Sequence, residues 1–440
     1  MTAVVAIMNK TGLALAADSA VTVTNGVGGY SSSKIYNTAN KLFMLSKYHP
    51  IGIMVYSSAD FMQVPWELII KLYRKHIGDE SFKAVSDYRD DFLRFMVNSS
   101  HFSFIEKESS YLPSIMNSIL SFVTSIVNEN LSRDIEVRNE LDLLEGKDLT
   151  KKHAELITEE IKKIKDNFFS NPEKIKEFEG YEFQEFSTKY QQDICKAFKN
   201  CVGESFIDLD AFPELKEELL QITFEYLTRN NFIVRSTGIV FAGFGDSEIY
   251  PSLCSIDIDC VLDGKLRYAD NQVTQICEEN RGAIIPFAQK DVMHMFIEGI
   301  DPNIEQVFED AFVKVMKRYN LMLANAVEDN KTKEDILNID IDILKDIFRQ
   351  DIIDAKQRWQ IIPTINTVEI LSKEDLAEMA ESLIYLTFLK KRTSSNEENV
   401  GGPIDVAIIS KGDGFIWKNR KHYFEKDLNQ HFFSNYYNKE

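Results

Sequence analysis

The chain has 440 residues, with Lys+Arg 50 against Asp+Glu 69, a formal net charge of −19, and 44% hydrophobic and 11% aromatic residues. This composition supports a sizeable core and excludes a disordered chain. So acidic a balance argues against a nucleic-acid backbone or an anionic membrane face as partner.

"AVVAIMN" and "GLALAADSAVTV" are apolar runs separated by Lys10–Thr11–Gly12, and predict a hairpin. "KLFMLS" and "IGIMVYSS" predict a second pair around "KYHP". "FMQVPWELIIKLYRKHIG" then switches to helical spacing, with Trp66, Ile69, Ile70 and Tyr73 on one side and Gly78 as the stop. Residues 79–231 change character, with sparse glycine and helical patterns in "YLPSIMNSILSFVTSIVNENL", "KKHAELITEEIKKIKDNFF" and "FPELKEELLQITFEYLTRN". Strands return in "NFIVRSTGIVFAGFG" and "IYPSLCSIDIDCVLDGKLRYA", joined at Gly243–Asp246. Helices are predicted from about Asp291 to Arg358 and in "SKEDLAEMAESLIYLTFLKKRT". "PIDVAIISKGDGFIWKNR" closes the chain as a hairpin turning at Gly412–Asp413–Gly414. Antiparallel hairpins with helices segregated from them predict an α+β protein, with sheets packed between helical layers. The expected division is a core from 1–78 and 232–440, interrupted by a helical insertion at 79–231.

Five cysteines, odd in number and without a CxxC pair, read as reduced thiols rather than a disulfide frame or zinc site. No leader and no apolar run of membrane-spanning length is expected, so the chain reads as cytoplasmic. No metal or cofactor is expected. "DIDCVLDG" lacks calcium-loop spacing, "FAGFGDS" lies between strands rather than before a helix, and His76 and His294 stand alone.

The start of the chain offers chemistry. Loss of Met1, favoured by the small residue behind it, leaves Thr2 with a free α-amino group. A threonine hydroxyl needs a base to take its proton, and its own amine, with a pKa of about 7.7–8.0, is suited to that work. A cation nearby would keep the amine unprotonated and stabilise charge on the oxygen, and a carboxylate would hold the cation. Asp18 and Lys34 are the candidates. Asp18 follows "LALAA" at the buried end of an apolar run, where an aspartate needs a partner. On the residues alone, Asp18 also reads as a turn residue and Lys34 as a surface lysine.

"TAVVAIMNKTGLALAADSAVT", followed by "SSSKIYNTANKLFML" and "IGIMVYSSADF", resembles the start of proteasome-type threonine peptidases, which comprise the proteasome β subunits, the HslV peptidase and the Anbu proteins. The spacing from Thr2 to Asp18 (18 − 2 = 16) and from Asp18 to Lys34 (34 − 18 = 16) matches that family. "RTSSNEENVGGPIDVAIISKGDGF" resembles the run before the last hairpin of Anbu-type members, and "AGFGDSEIYPSLCSIDIDCVLDGKL" resembles the family's central hairpin. The resemblance covers roughly 2–78, 232–290 and 380–420.

It implies a four-layer αββα sandwich of the Ntn-hydrolase kind, carrying an added helical insertion. Thr2 would be nucleophile and base, with Lys34 and Asp18 in support. The oxyanion site would fall at Tyr56, with Ser57 beside it, where relatives have glycine at position 56. The G-S-G motif that such enzymes often carry is replaced by "IPFAQKDVMHMF", and Val400 precedes Gly401–Gly402 at a position open to a serine. Ser394, Ser395, Asn396 and Glu397 are candidates for that role.

The implied activity is hydrolysis of peptide or other amide bonds. A catalytically silent scaffold subunit and a non-proteolytic amidase are the alternatives. The partners implied are a peptide or protein substrate, further copies of the chain, and an AAA+ ATPase or another protein. Apolar Leu112, Ile115, Ile119 and Phe122 suggest that the contacts between copies involve the insertion.

Overall fold

The computed structural model describes residues 3–27, 30–141, 143–169, 172–202, 208–234, 236–393 and 401–437. The first half runs β1 (Val4–Asn9), β2 (Gly12–Ala17), β3 (Val21–Val27), β4 (Tyr30–Tyr36), β5 (Leu42–Met44), β6 (Ile51–Tyr56), β7 (Asp60–Phe61), β8 (Val64–Pro65), α1 (Trp66–Ile77), α2 (Val85–Asn98), α3 (Phe104–Arg133), α4 (Ile135–Leu141), α5 (Gly146–Ile164), α6 (Phe183–Val202) and α7 (Pro213–Thr228). The second half runs β9 (Thr237–Gly243), β10 (Ser252–Leu262), β11 (Lys265–Gln275), β12 (Gly282–Ala288), α8 (Lys290–Glu298), α9 (Pro302–Asn325), α10 (Asn330–Leu337), α11 (Asp342–Lys356), α12 (Ile362–Ile370), α13 (Lys373–Thr393), β13 (Asp405–Ser410), β14 (Gly414–Asn419) and α14 (Gln430–Tyr437).

Ten of these strands form two antiparallel sheets, ordered β12-β1-β2-β13-β14 and β11-β10-β9-β6-β5. The chain is therefore α+β. Asn9 closes the β1–β2 turn by accepting the Thr11 amide at 2.9 Å, and its amide nitrogen donates to the carbonyls of Val368 (2.8 Å) and Leu371 (2.9 Å). Gly12 is required next to it, because a Cβ there would lie 2.7 Å from the Ile409 oxygen of β13.

Alternation along the strands divides the core. Val4, Ala6, Met8, Leu13 and Leu15 of the first sheet meet Leu42, Met54, Val240, Ala242 and Leu253 of the second. Val5, Ile7, Ala14 and Ala16 face the other way, onto Leu376, Ala377, Ala380 and Leu383 of α13. The far side of the second sheet, including Ile53, Ile239, Phe241 and Ile256, packs on the helices from α1 to α7. Both faces of the central strands are thus covered, which is why they read as unbroken apolar runs, while β11 and β14 at the edges are partly open.

Several sequence expectations change. "GLALAADSAVTV" is broken at 18–20, so β2 belongs to the first sheet while β3 and β4 form a separate two-stranded ribbon. "LCSIDIDCVLDGKLRYA" is two strands, since Asp263 (φ 49°) and Gly264 (φ 71°) make a two-residue turn between Leu262 and Lys265. β12, with Pro286 inside it, occupies a sheet edge, the place where a strand proline is tolerated.

The apolar residues of α3 are also corrected. This helix is long and apolar enough to cross a membrane by length and composition, contrary to the expectation that no run would be, and half of its apolar window is buried inside the protein. Leu112, Ile115 and Ile119 are 0–1% exposed and join the core under the second sheet, and Phe122 packs against that core. Leu112, Ile115 and Ile119 are therefore not a surface for contacts between copies, and Phe122 is half-buried.

Candidate functional site

The site gathers where β1 begins and β2 ends. The Asp18 amide donates to the Ala3 carbonyl at 3.1 Å, and the Asp18 carboxylate accepts the amides of Ala3 (2.9 Å), Ala20 (3.2 Å) and Gly401 (3.3 Å). Its further partner among the described residues is Lys41, whose Nζ lies 2.6 Å from Oδ1 and also donates to the Ala20 carbonyl at 2.5 Å. Asp18 is 1% exposed and Lys41 5%. Desolvation lowers the Lys41 ammonium below the ordinary lysine value, and Asp18 opposes that shift.

Lys41 is held from both sides. It directly precedes β5, and its carbonyl accepts the Val55 amide of β6 at 2.8 Å. Thus the two sheets meet at this ion pair, with Asp18 supplied by the first and Lys41 by the second. The Ser19 hydroxyl donates to the Pro403 carbonyl at 2.5 Å, and the Ser19 amide to the Gly401 carbonyl at 3.2 Å, so the segment before β13 lies against the same turn.

A second buried pair stands beside the first. Asp405, 2% exposed, is in register with Ala17 and accepts the backbone amide of Lys421 at 2.9 Å as well as its ammonium. Its charge raises the Lys41 pKa while that of Lys421 lowers it, both by smaller amounts than burial does. Two lysines and two aspartates therefore share one water-poor region at the head of the first sheet.

Tyr56 ends β6 in register with Gly238, and its ring lies so close over that glycine that an added Cβ would sit 1.8 Å from the ring. The ring also meets Phe287 at 5.8 Å between centroids. Ser57 follows in left-handed backbone (φ 74°) and is exposed. A non-glycine residue held there carries roughly 1–3 kcal/mol of strain, a feature concentrated at functional turns.

Thr2 lies outside the described residues, as do Ser394, Ser395, Asn396, Glu397 and Val400. What is described is its neighbour Ala3, bonded to Asp18 in both directions. Lys34 is in β4, in register with Val23, and its side chain is outside the described residues. Among the described side chains, the cation on Asp18 is Lys41, which sequence spacing did not name. The β3–β4 ribbon lies between Asp18 and the next strand, so counting residues counts the length of that ribbon. A signal was present: Lys41 opens "KLFML", a cation at the mouth of an apolar strand, as Asp18 is an anion at the end of one. Asp405 and Lys421 gave no comparable signal, because a lysine beyond the last hairpin has no fixed spacing to the turn it reaches.

No family model matches the chain, and no curated protein matches it. A solved structure of the Anbu (Gly-1) mutant from Hyphomicrobium sp. strain MC1 is similar over 99% of this chain and 94% of that chain, at 10% sequence identity and a TM-score of 0.26. So loose a superposition adds no weight to a family assignment. The class defined by the structure itself is an α+β protein with two antiparallel sheets and a buried Lys–Asp pair at the start of the first.

Proposed function

We propose that this chain is a proteasome-like N-terminal nucleophile hydrolase of the αββα sandwich type, cutting peptide or other amide bonds through an acyl-enzyme on Thr2 after Met1 is removed. The observation that supports it most is the buried Asp18–Lys41 pair bonded to the amide of residue 3. Lys41 takes the role that spacing assigned to Lys34.

In this reading the Thr2 hydroxyl attacks the scissile carbonyl carbon while its proton passes to the Thr2 amine. The positive field of Lys41 favours the neutral amine before attack and the developing negative oxygen during it. Asp18, fixed by three backbone amides, keeps Lys41 from turning away. The turn at Tyr56–Ser57 supplies a backbone N–H to the tetrahedral oxyanion. The C–N bond then breaks, the Thr2 ammonium returns its proton to the leaving amine, and water, deprotonated by the same amine, cleaves the ester to release the acid and regenerate Thr2.

The reading carries a peptide or protein substrate, a cytoplasmic setting, further copies of the chain, and an AAA+ ATPase or another protein as partner. The helices at 79–231 are then an insertion into the sandwich core. A silent scaffold or a non-proteolytic amidase is the second reading, favoured by the Tyr56 ring, which fills the space over Gly238 beside the proposed oxyanion turn.

Intact-mass measurement of the purified chain, before and after incubation with peptide epoxyketones, tests the proposal. A threonine with both free amine and hydroxyl forms a stable adduct, so the wild-type mass should lack Met1 and rise by one inhibitor, and Thr2→Ala should not react. Retained Met1, or no adduct across several side-chain chemistries, would overturn it.

A further inference from the structure

The helices α9 and α11 carry apolar side chains that the chain itself leaves uncovered. α9 packs its inner side on α11 through a stacked Phe312–Phe348 pair (4.5 Å between centroids) and a two-pronged Arg349–Glu309 ion pair at 2.9 and 2.7 Å. A second stripe on α9, formed by Ile304, Phe308, Val315, Tyr319 and Met322 at steps of four, seven, four and three residues, keeps to one flank of the helix and is 47–70% exposed. On α11, Ile343 and Ile347 are 63% and 55% exposed, and among its described residues none is buried. Seven large side chains at about half exposure, each offering roughly 100 Å², approach the ~800 Å² per partner of a stable interface. Scattered single apolar residues need no explanation, but a periodic stripe of this length does.

Charge selects the occupant. Lys314 and Arg318 border the α9 stripe, and neither makes an ion pair among the described residues. Asp351 and Asp354 border Ile347 on α11 and likewise have no cationic partner there, Asp354 accepting only the Gln350 amide at 2.8 Å. One chain thus presents an apolar flank edged with cations and another edged with anions. We propose that a second copy of this chain covers these flanks, α9 of each copy lying against α11 of the other. That arrangement pairs both charged edges at once and buries both stripes. It is independent of whether Thr2 reacts.

Sedimentation of the full chain from about 1 to 100 µM tests it, using two charge-reversed chains: Lys314→Glu with Arg318→Glu, and Asp351→Lys with Asp354→Lys. Wild type should self-associate, each reversed chain alone should associate at least tenfold more weakly, and an equimolar mixture of the two should recover the wild-type affinity to within about threefold, because each cross-contact again joins opposite charges. Unchanged thermal midpoints show that the variants are folded, and Lys314→Gln with Arg318→Gln provides a milder version should a reversal disturb folding. A wild-type chain that is monomeric at 100 µM overturns the proposal, and so does self-association that neither reversal weakens, since another surface or another partner is then the occupant.

Discussion

The helices at 79–231 and those at 302–361 look alike as sequence, both rich in isoleucine, leucine and charge, yet they solve opposite problems. In the first region the apolar side of α3 is spent on the second sheet and on α6, with Ile115 and Ile119 fully enclosed. The region is also anchored by a charge. Arg267, on β11, is 0% exposed; it pairs with Asp259 at 3.0 Å, donates to the carbonyls of Tyr226 at 2.7 Å and Leu227 at 2.9 Å, and lies between the rings of Tyr226 and Phe232. In the second region α10 and α11 bury no described residue, and α11 is held by partly covered ion pairs, Arg349 with Glu309 and Lys356 with Glu305. An apolar helix is a core element or a contact element according to whether a sheet lies behind it, and helical periodicity is the same in both cases.

That contrast can be broken by substitution. The largest effect should come from Arg267→Ala, which strands the buried Asp259 carboxylate and opens several carbonyls. A loss of about 3–5 kcal/mol is expected by urea unfolding. If its midpoint stays within error of wild type, the anchor carries no energy and the contrast fails. Ile119→Ala should follow at about 2–5 kcal/mol, because the packed core relaxes only partly around the cavity.

Lys41→Ala sharpens a different side of it, since in the proposed function this buried charge acts on Thr2. Asp18 keeps three amide donors after the change, so stability should fall by only about 1–3 kcal/mol, while epoxyketone capture disappears. Lys41→Arg should fail to restore capture, because a planar guanidinium does not fit a site shaped for a compact ammonium. Capture at the wild-type rate in either variant would remove Lys41 from the reaction.

A pH effect should separate the regions more gently. Burial pushes the Cys254 thiol, on the face of the second sheet that the helices cover, from about 9 up to about 12. The folded thiol keeps its proton where the unfolded one has released it. Its contribution to stability is therefore complete below pH 9 and lost as pH rises from 9 towards 12. Wild type should lose more stability than Cys254→Ala between pH 8 and 10.5, and native Cys254 should resist iodoacetamide at pH 9 when peptide mapping shows the partly exposed Cys277 modified. Equal labelling would mean that the helical layer opens readily. The smallest effect is expected from Val315→Ala in α9, below about 0.5 kcal/mol in the monomer's stability. A larger loss would show that the α9 flank is already packed.

Local patterns determined much of this protein. The β1–β2 hairpin with its turn at Lys10–Thr11, the β5–β6 pair, α1 ending at Gly78 and the closing hairpin could be read directly, because turn chemistry and side-chain alternation act over a few residues. Asp18 was legible for the same reason, as an anion ending an apolar strand. Its cation was not. Asp18 and Lys41 are 23 residues apart with the β3–β4 ribbon between them, and they meet only because strands from different sheets bring them together. Asp405 and Lys421 join them by the order of strands in the first sheet. Which apolar helix stripe is core and which is open was likewise settled in three dimensions, since burial depends on what packs behind a helix, and no periodicity within the helix records it.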